Sequence, residues 1–209
     1  MENSNKRKTK ILAAADIHGD TGLVKKLAKK AKDENVDIVI LAGDLTLAET
    51  KTQNLIGPFV KNKKPVLIIP GNHESQATHN FLSEMYAPYL RNIHGYSFSK
   101  EDLGIFGAGS AEIGIQGIRD IEIFNLLENA HKQLPKNIQR KIMVTHMHPR
   151  KSKAEFSGFK GSESIRKAMK KFSPDILLNA HIHEAEGIEE KIGKTRVMNI
   201  GRRGKVFEI

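Results

Sequence analysis

Apolar residues run along this chain in short unbroken stretches, each closed by polar residues, and these alternate with stretches of helical period. ILAAAD (11–16), VDIVILA (36–42), PVLIIP (65–70), KIMVTH (141–146) and DILLNA (175–180) have strand length. They lack the polar alternation of half-exposed strands, so both faces should be covered. Val24, Leu27, Ala28 and Ala31 recur at i, i+3, i+4 and i+7, which predicts a helix after the first run. Ile123, Leu126, Leu127 and Ala130 predict a second, and Ile165, Ala168, Met169 and Phe172 a third that Pro174 stops. YSF (96–98) and LGIFGAG (103–109) are shorter strand candidates, and GIEEKI, TRVMNI and KVFEI add three near the end. Segment 99–119 carries five glycines, so it reads as loop-rich with no predictable geometry.

Composition narrows the classes. With 209 residues, 39% of them hydrophobic, the chain can bury one good core, and a single domain over 1–209 is expected. The absence of cysteine excludes disulfides, thiolate metal sites and cysteine nucleophiles, and it fits a reducing cytoplasm. No apolar run approaches the eighteen or so residues that cross a bilayer. The basic start leads into an apolar stretch that Asp16 stops after five residues, too short for a secretory leader. A net charge of +10 keeps nucleic acid open as a partner, but the lysines lie in short scattered runs that read as solvated helix faces and loop ends.

The chemistry lies where the buried runs end. The first delivers Asp16 and His18, the second Asp44, the third Asn72 and His73, the fourth His146, and the fifth His181 and His183. Each end has a plain alternative: Asp16 and Asp44 as helix caps, Gly71-Asn72-His73 as a turn, His146 as a satisfied buried imidazole. In NAHIHE, a continuing strand would turn His181 and His183 to one face, whereas a strand ending there would put both at a strand-to-loop edge. In a mainly parallel α/β sheet the five ends share an edge, so the eight side chains converge there. Two carboxylates, one amide oxygen and four imidazoles exceed one ion's usual complement and suit two. Imidazole with carboxylate favours manganese, iron, cobalt, nickel or zinc over calcium or magnesium. Two divalent ions against two carboxylates leave positive charge for a phosphate group and draw the pKa of a bridging water toward neutrality.

Asp16-Ile17-His18, Gly43-Asp44, Gly71-Asn72-His73-Glu74, Thr145-His146 and Ala180-His181-Ile182-His183 resemble, in that order, the five motifs of the calcineurin-like metallophosphoesterase superfamily. The resemblance spans residues 16–183. It implies a two-layer β-sandwich of mixed sheets flanked by α-helices, with a dimetal site at the strand ends. It further implies one ion on Asp16, His18 and His183, another on Asn72, His146 and His181, and Asp44 between them. Manganese is favoured, with a bridging hydroxide as nucleophile and His73 as the acid that protonates the leaving oxygen. Two departures matter. Ala180 stands where the family usually has glycine, and neither GDLTLAE nor IPGNHE carries the arginines of the protein phosphatases. A monoester dianion gains more from such a clamp than a diester monoanion does, which favours a phosphodiesterase.

The expected substrate is a small phosphoester, with nucleotides and cyclic nucleotides among the candidates. A phosphomonoesterase, a nuclease and a non-catalytic scaffold of the same fold are the alternatives, and a homodimer is compatible with the sequence. Ser162 is expected to cap the helix that ends at Phe172, His148 to sit idle at a loop edge, and Arg202 and Arg203 to form a hairpin turn. His79, His94 and His131, with no motif around them, read as surface residues.

Overall fold

The computed structural model describes residues 8–209; residues 1–7, which hold part of the basic start, lie outside the described residues. Strands β1 (Lys10–Ala14), β2 (Ile38–Ala42), β3 (Val66–Ile69) and β4 (Leu90–Asn92) run parallel, and β11 (Lys205–Glu208) joins β1 antiparallel, giving the order β11-β1-β2-β3-β4. A second sheet has the order β5-β6-β7-β8-β10-β9. Its centre, β6 (Leu103–Ala108), β7 (Arg140–Thr145), β8 (Ile176–Asn179) and β10 (Thr195–Asn199), is parallel. Strands β5 (Ser97–Lys100) and β9 (Glu189–Ile192) flank it antiparallel.

The unbroken apolar runs reflect three layers of packing. Ile38 and Ile40 point between the sheets, where they meet Ile142, Val144 and Leu178. Val39 and Leu41 point outward to helix α1 (Thr21–Asp33), which buries Val24, Leu27, Ala28 and Ala31 as its period predicts. On the other side Met143 and Leu177 pack against α4 (Asp120–Lys132) and α5 (Glu163–Phe172). The chain is thus a sandwich of two mixed sheets flanked by helices, and the edge that carries the predicted donors is shared by both sheets rather than belonging to one.

Three local outcomes differ from expectation. Helices α2 (Gly57–Val60) and α3 (Gln76–Met85) and strand β4 appear where no element was predicted. In α3 only His79 and Leu82 are buried, too narrow a stripe to register as amphipathic, although Ser75 caps it by accepting from the Thr78 N–H at 3.2 Å. Arg202 and Arg203 do not form a hairpin turn, because β10 and β11 lie in different sheets and the turn crosses between them. His79 and His94 are buried rather than superficial, and the partly buried His131 stacks on Phe172 with ring centroids 4.5 Å apart.

Candidate metal centre

The loops after β1 and β2 are joined backbone to backbone: Asp16 N–H donates to Gly43 O at 3.0 Å, and His18 N–H to Asp44 O at 2.9 Å. Asp16, His18, Asp44 and His181 all have left-handed backbone, at φ of 54°, 49°, 51° and 70°. Strain of this kind in non-glycine residues clusters at functional sites. Strand β8 stops at Asn179, and His181 sits at the middle of a tight turn closed by Ile182 N–H donating to Ala180 O at 2.8 Å. NAHIHE is therefore a strand end. Ala180 keeps φ outside the left-handed region, so the methyl group that replaces the family's glycine brings no backbone strain.

Glu74 supplies a strap. Its buried carboxylate accepts Thr46 N–H at 2.5 Å and Gly71 N–H at 2.9 Å, fastening the Asp44 loop to the loop of Asn72 and His73. Burial raises its pKa to about 7 despite these two bonds. Glycine is obligatory at Gly71, where a Cβ would overlap the Asp44 carboxylate, and at Gly43, where φ is 95° and a Cβ would overlap the His146 ring.

The eight predicted side chains come together. Donor atoms of Asp16, His18 and His183 lie within 4.8 Å of one another, as do those of His18, Asp44 and His73, and those of Asp44, His146 and His181. Asn72 Oδ1 is 3.2 Å from His146 Nε2. Asp44 is central, its Oδ2 being 3.4 Å from His146 Nε2, 3.8 Å from His18 Nε2 and 3.9 Å from His73 Nε2. His146 Nδ1 donates to Ala42 O at 2.9 Å, which turns Nε2 toward the cluster.

Charge is crowded at this edge. Burial raises Asp16 to about 6. Burial alone would raise Asp44 as well, but the charge of His146 holds its carboxyl well below the usual carboxylate range. His146 moves the other way: burial opposes its charge, yet Asp44 lifts it to about 9. Burial lowers His181 to about 4 and also lowers His18. Asp44 and His146 thus stabilise each other's charged forms across the centre of the cluster.

The donor set fits cations. Two nitrogens bound to one tetrahedral ion at about 2.0–2.1 Å lie about 3.3 Å apart. His18 Nε2 and His183 Nε2 are 3.3 Å apart. His183 Nε2 is 3.9 Å from Asp16 Oδ1, a buried oxygen without a hydrogen-bond partner. The absence of thiols and the mixture of imidazole with carboxylate match divalent first-row metals.

Neighbouring residues divide. Ser162 caps α5 as expected, accepting from Ile165 N–H at 2.9 Å. His148 is not idle at a loop edge; it is buried, with Nε2 3.3 Å from Phe159 O. Glu74, quoted with its motif but given no role there, and Arg202, read only as a turn residue, acquire positions that bear on the site. A carboxylate directly after Gly71-Asn72-His73 was the available signal for Glu74. For Arg202 there was none.

A two-sheet α/β sandwich with aspartates and histidines clustered at its strand ends defines the metallophosphoesterase class. The chain belongs to the calcineurin-like phosphoesterase family, whose model matches residues 9–185. No curated protein matches it. Solved structures do. The protein TT1561 of Thermus thermophilus is 18% identical with a TM-score of 0.75, over 97% of this chain and 99% of that one. A dimetal phosphatase from Danio rerio is 11% identical with a TM-score of 0.66, over 93% and 88%. A novel archaeal phosphodiesterase is 16% identical with a TM-score of 0.56, over 96% and 100%. Such identities speak to the fold. The chain is thus a metal-dependent phosphoesterase by family, and no helix among the described residues is long and apolar enough to cross a membrane.

Proposed function

We propose that the protein is a dimetal phosphodiesterase of small substrates, with the two sheets acting as one catalytic domain. The observation that carries this is the convergence of eight donor or proton-transferring side chains from five strand ends on one edge. In this reading Asp16, His18 and His183 hold one ion, Asn72, His146 and His181 hold the other, and Asp44 bridges. Manganese is the favoured metal, with iron, cobalt, nickel or zinc able to use the same donors. When bound, the ions supply Lewis-acid charge to the phosphoryl oxygens and lower the pKa of a water toward neutrality. His73 protonates the departing oxygen; its backbone N–H donates to Asp44 Oδ1 at 3.2 Å, which fixes the residue beside the bridge.

Preference for a diester is supported by where the arginines are. Arg202 donates to Asp16 O, Ile17 O and Asp20, and Arg203 pairs with Glu186. Arg150 pairs with Glu155 and Glu163. Each of these three guanidinium groups is engaged by protein partners, so none of the three is free to serve as a bidentate clamp for a dianion. A nucleotide or cyclic nucleotide fits this requirement, and the lack of cysteine supports residence in the cytoplasm. The test compares kcat/KM for a nitrophenyl diester, the matching monoester, cyclic nucleotides and single-stranded DNA, with one metal at one pH. Faster diester turnover is expected. A clear monoester preference overturns the diesterase reading, and turnover of DNA alone makes the protein a nuclease.

A further inference from the structure

Contiguous apolar side chains left in water mark binding surfaces. Among the described residues nine large apolar side chains are at least half exposed, and five of them stand on three loops at the metal-site edge. Leu47 follows Asp44 after β2, Ile113 and Ile115 follow β6, and Phe156 and Phe159 follow β7.

None of these loops is slack. Thr46 N–H is held by Glu74. Ser110 N–H donates to Pro70 O at 2.8 Å, and Ser110 Oγ donates to Gln116 O at 2.6 Å. The Glu155 carboxylate accepts Lys151 N–H and Gly161 N–H, each at 2.9 Å, and pairs with Arg150. Loops with their backbone fixed in this way hold apolar groups outward in a set geometry.

They also abut the donors. Gln116 N–H donates to Asn72 O at 3.2 Å, and Gly114, between the two isoleucines, is so close to the Asn72 amide that a Cβ would overlap it. Phe159 O lies against His148, two residues beyond His146. The short 3-10 turn Lys153–Ser157, which carries Phe156, packs on the turn that begins at His183. A substrate with its phosphorus over the donor cluster has the Asn72-side loop of Gly114 and the His148-side loop of Phe159 as its neighbours.

We propose that the substrate is a phosphate diester with a large apolar arm, a flat ring or an aliphatic chain, seated on Phe156, Phe159, Ile113 and Ile115. This rests on the diesterase reading above.

The test uses the manganese-loaded protein and 4-nitrophenyl diesters whose retained arm is methyl, phenyl or octyl, each kcat/KM divided by the rate with free hydroxide. The phenyl or octyl ester should exceed the methyl ester by about tenfold, a transition-state preference of about 1.4 kcal/mol. A phenyl optimum identifies a ring-bearing arm and an octyl optimum a chain. The double variant Phe156→Ser, Phe159→Ser should bring the ratio close to one, mainly through KM. Equal turnover of all three arms overturns the proposal. So does a preference that survives in a double variant with the parental melting temperature. If monoesters outrun every diester, the diesterase reading fails by itself, and phenyl against methyl phosphate then decides the apolar arm by the same ratio. Calorimetric binding of phenylphosphonate against methylphosphonate repeats the comparison without turnover.

Discussion

Arg202 donates through Nη1 to the carbonyl oxygen of Asp16 at 3.0 Å, fastening the turn between the two sheets to the loop of the proposed ligands Asp16 and His18. The same nitrogen reaches Ile17 O at 3.3 Å, and Nη2 reaches Asp20 Oδ2 at 2.9 Å, while Asp20 Oδ1 caps α1. Asp16 and His18 keep their left-handed backbone in a loop held from outside. Arg202→Ala should weaken metal binding about 10- to 100-fold, the usual effect of removing a residue that orients a ligand. Arg202→Lys should restore part of it. Calorimetric titration with manganese is the measurement, and unchanged affinity in Arg202→Ala would refute the role.

Asp44 lies between the two halves of the cluster, in contact with His18 and His73 on one side and His146 on the other. Asp44→Ala should therefore lose more metal than Asp16→Ala or His183→Ala, leaving less than one ion per chain by elemental analysis. Full occupancy in Asp44→Ala would break the assignment.

His73→Ala is expected to retain its metals and lose about 10²- to 10⁴-fold in turnover, the range for general-acid catalysis. The loss should be larger for an alkyl leaving group than for nitrophenolate, which departs without a proton. Loss of metal together with activity would make His73 a ligand instead.

His79 and His94 give a stability prediction away from the metals. Burial lowers both to about 4, against an ordinary value of 6.5. His94 Nδ1 accepts Gly109 N–H at 2.9 Å, a bond that protonation at this nitrogen would break. A depressed histidine pKa leaves stability intact above 6.5, and stability declines as the pH falls from there through 4, because the unfolded chain takes up the proton first. Between pH 7 and pH 5 the wild type should lose about 2 kcal/mol more than His79→Leu in urea unfolding. Parallel pH profiles for the two proteins would contradict this.

The site was legible in the sequence because its donors follow strands buried on both faces, and such strands read as unbroken apolar runs whose ends are easy to place. The division into two sheets came from the motif resemblance, since apolar runs alone do not say which strands pair. Helix α3 stayed hidden because Phe81 and Met85 face water and leave only His79 and Leu82 to mark its inner side. The role of Arg202 was invisible for a different reason: besides Asp20 its partners are backbone carbonyls 185 and 186 residues away, and carbonyls carry no sequence signal.

Left-handed backbone at four of the proposed ligands sets a conflict between durability and chemistry. Asp16, His18, Asp44 and His181 each occupy a conformation that costs a side-chain-bearing residue about 1 kcal/mol or more. Glycine at any of them would ease the chain and delete a donor. In the metal-free protein His18→Gly should melt above His18→Ala, although neither keeps the imidazole. Selection for thermal robustness alone would erode this centre one glycine at a time, so a drifting copy freed from catalysis should lose its ligands first at these four positions.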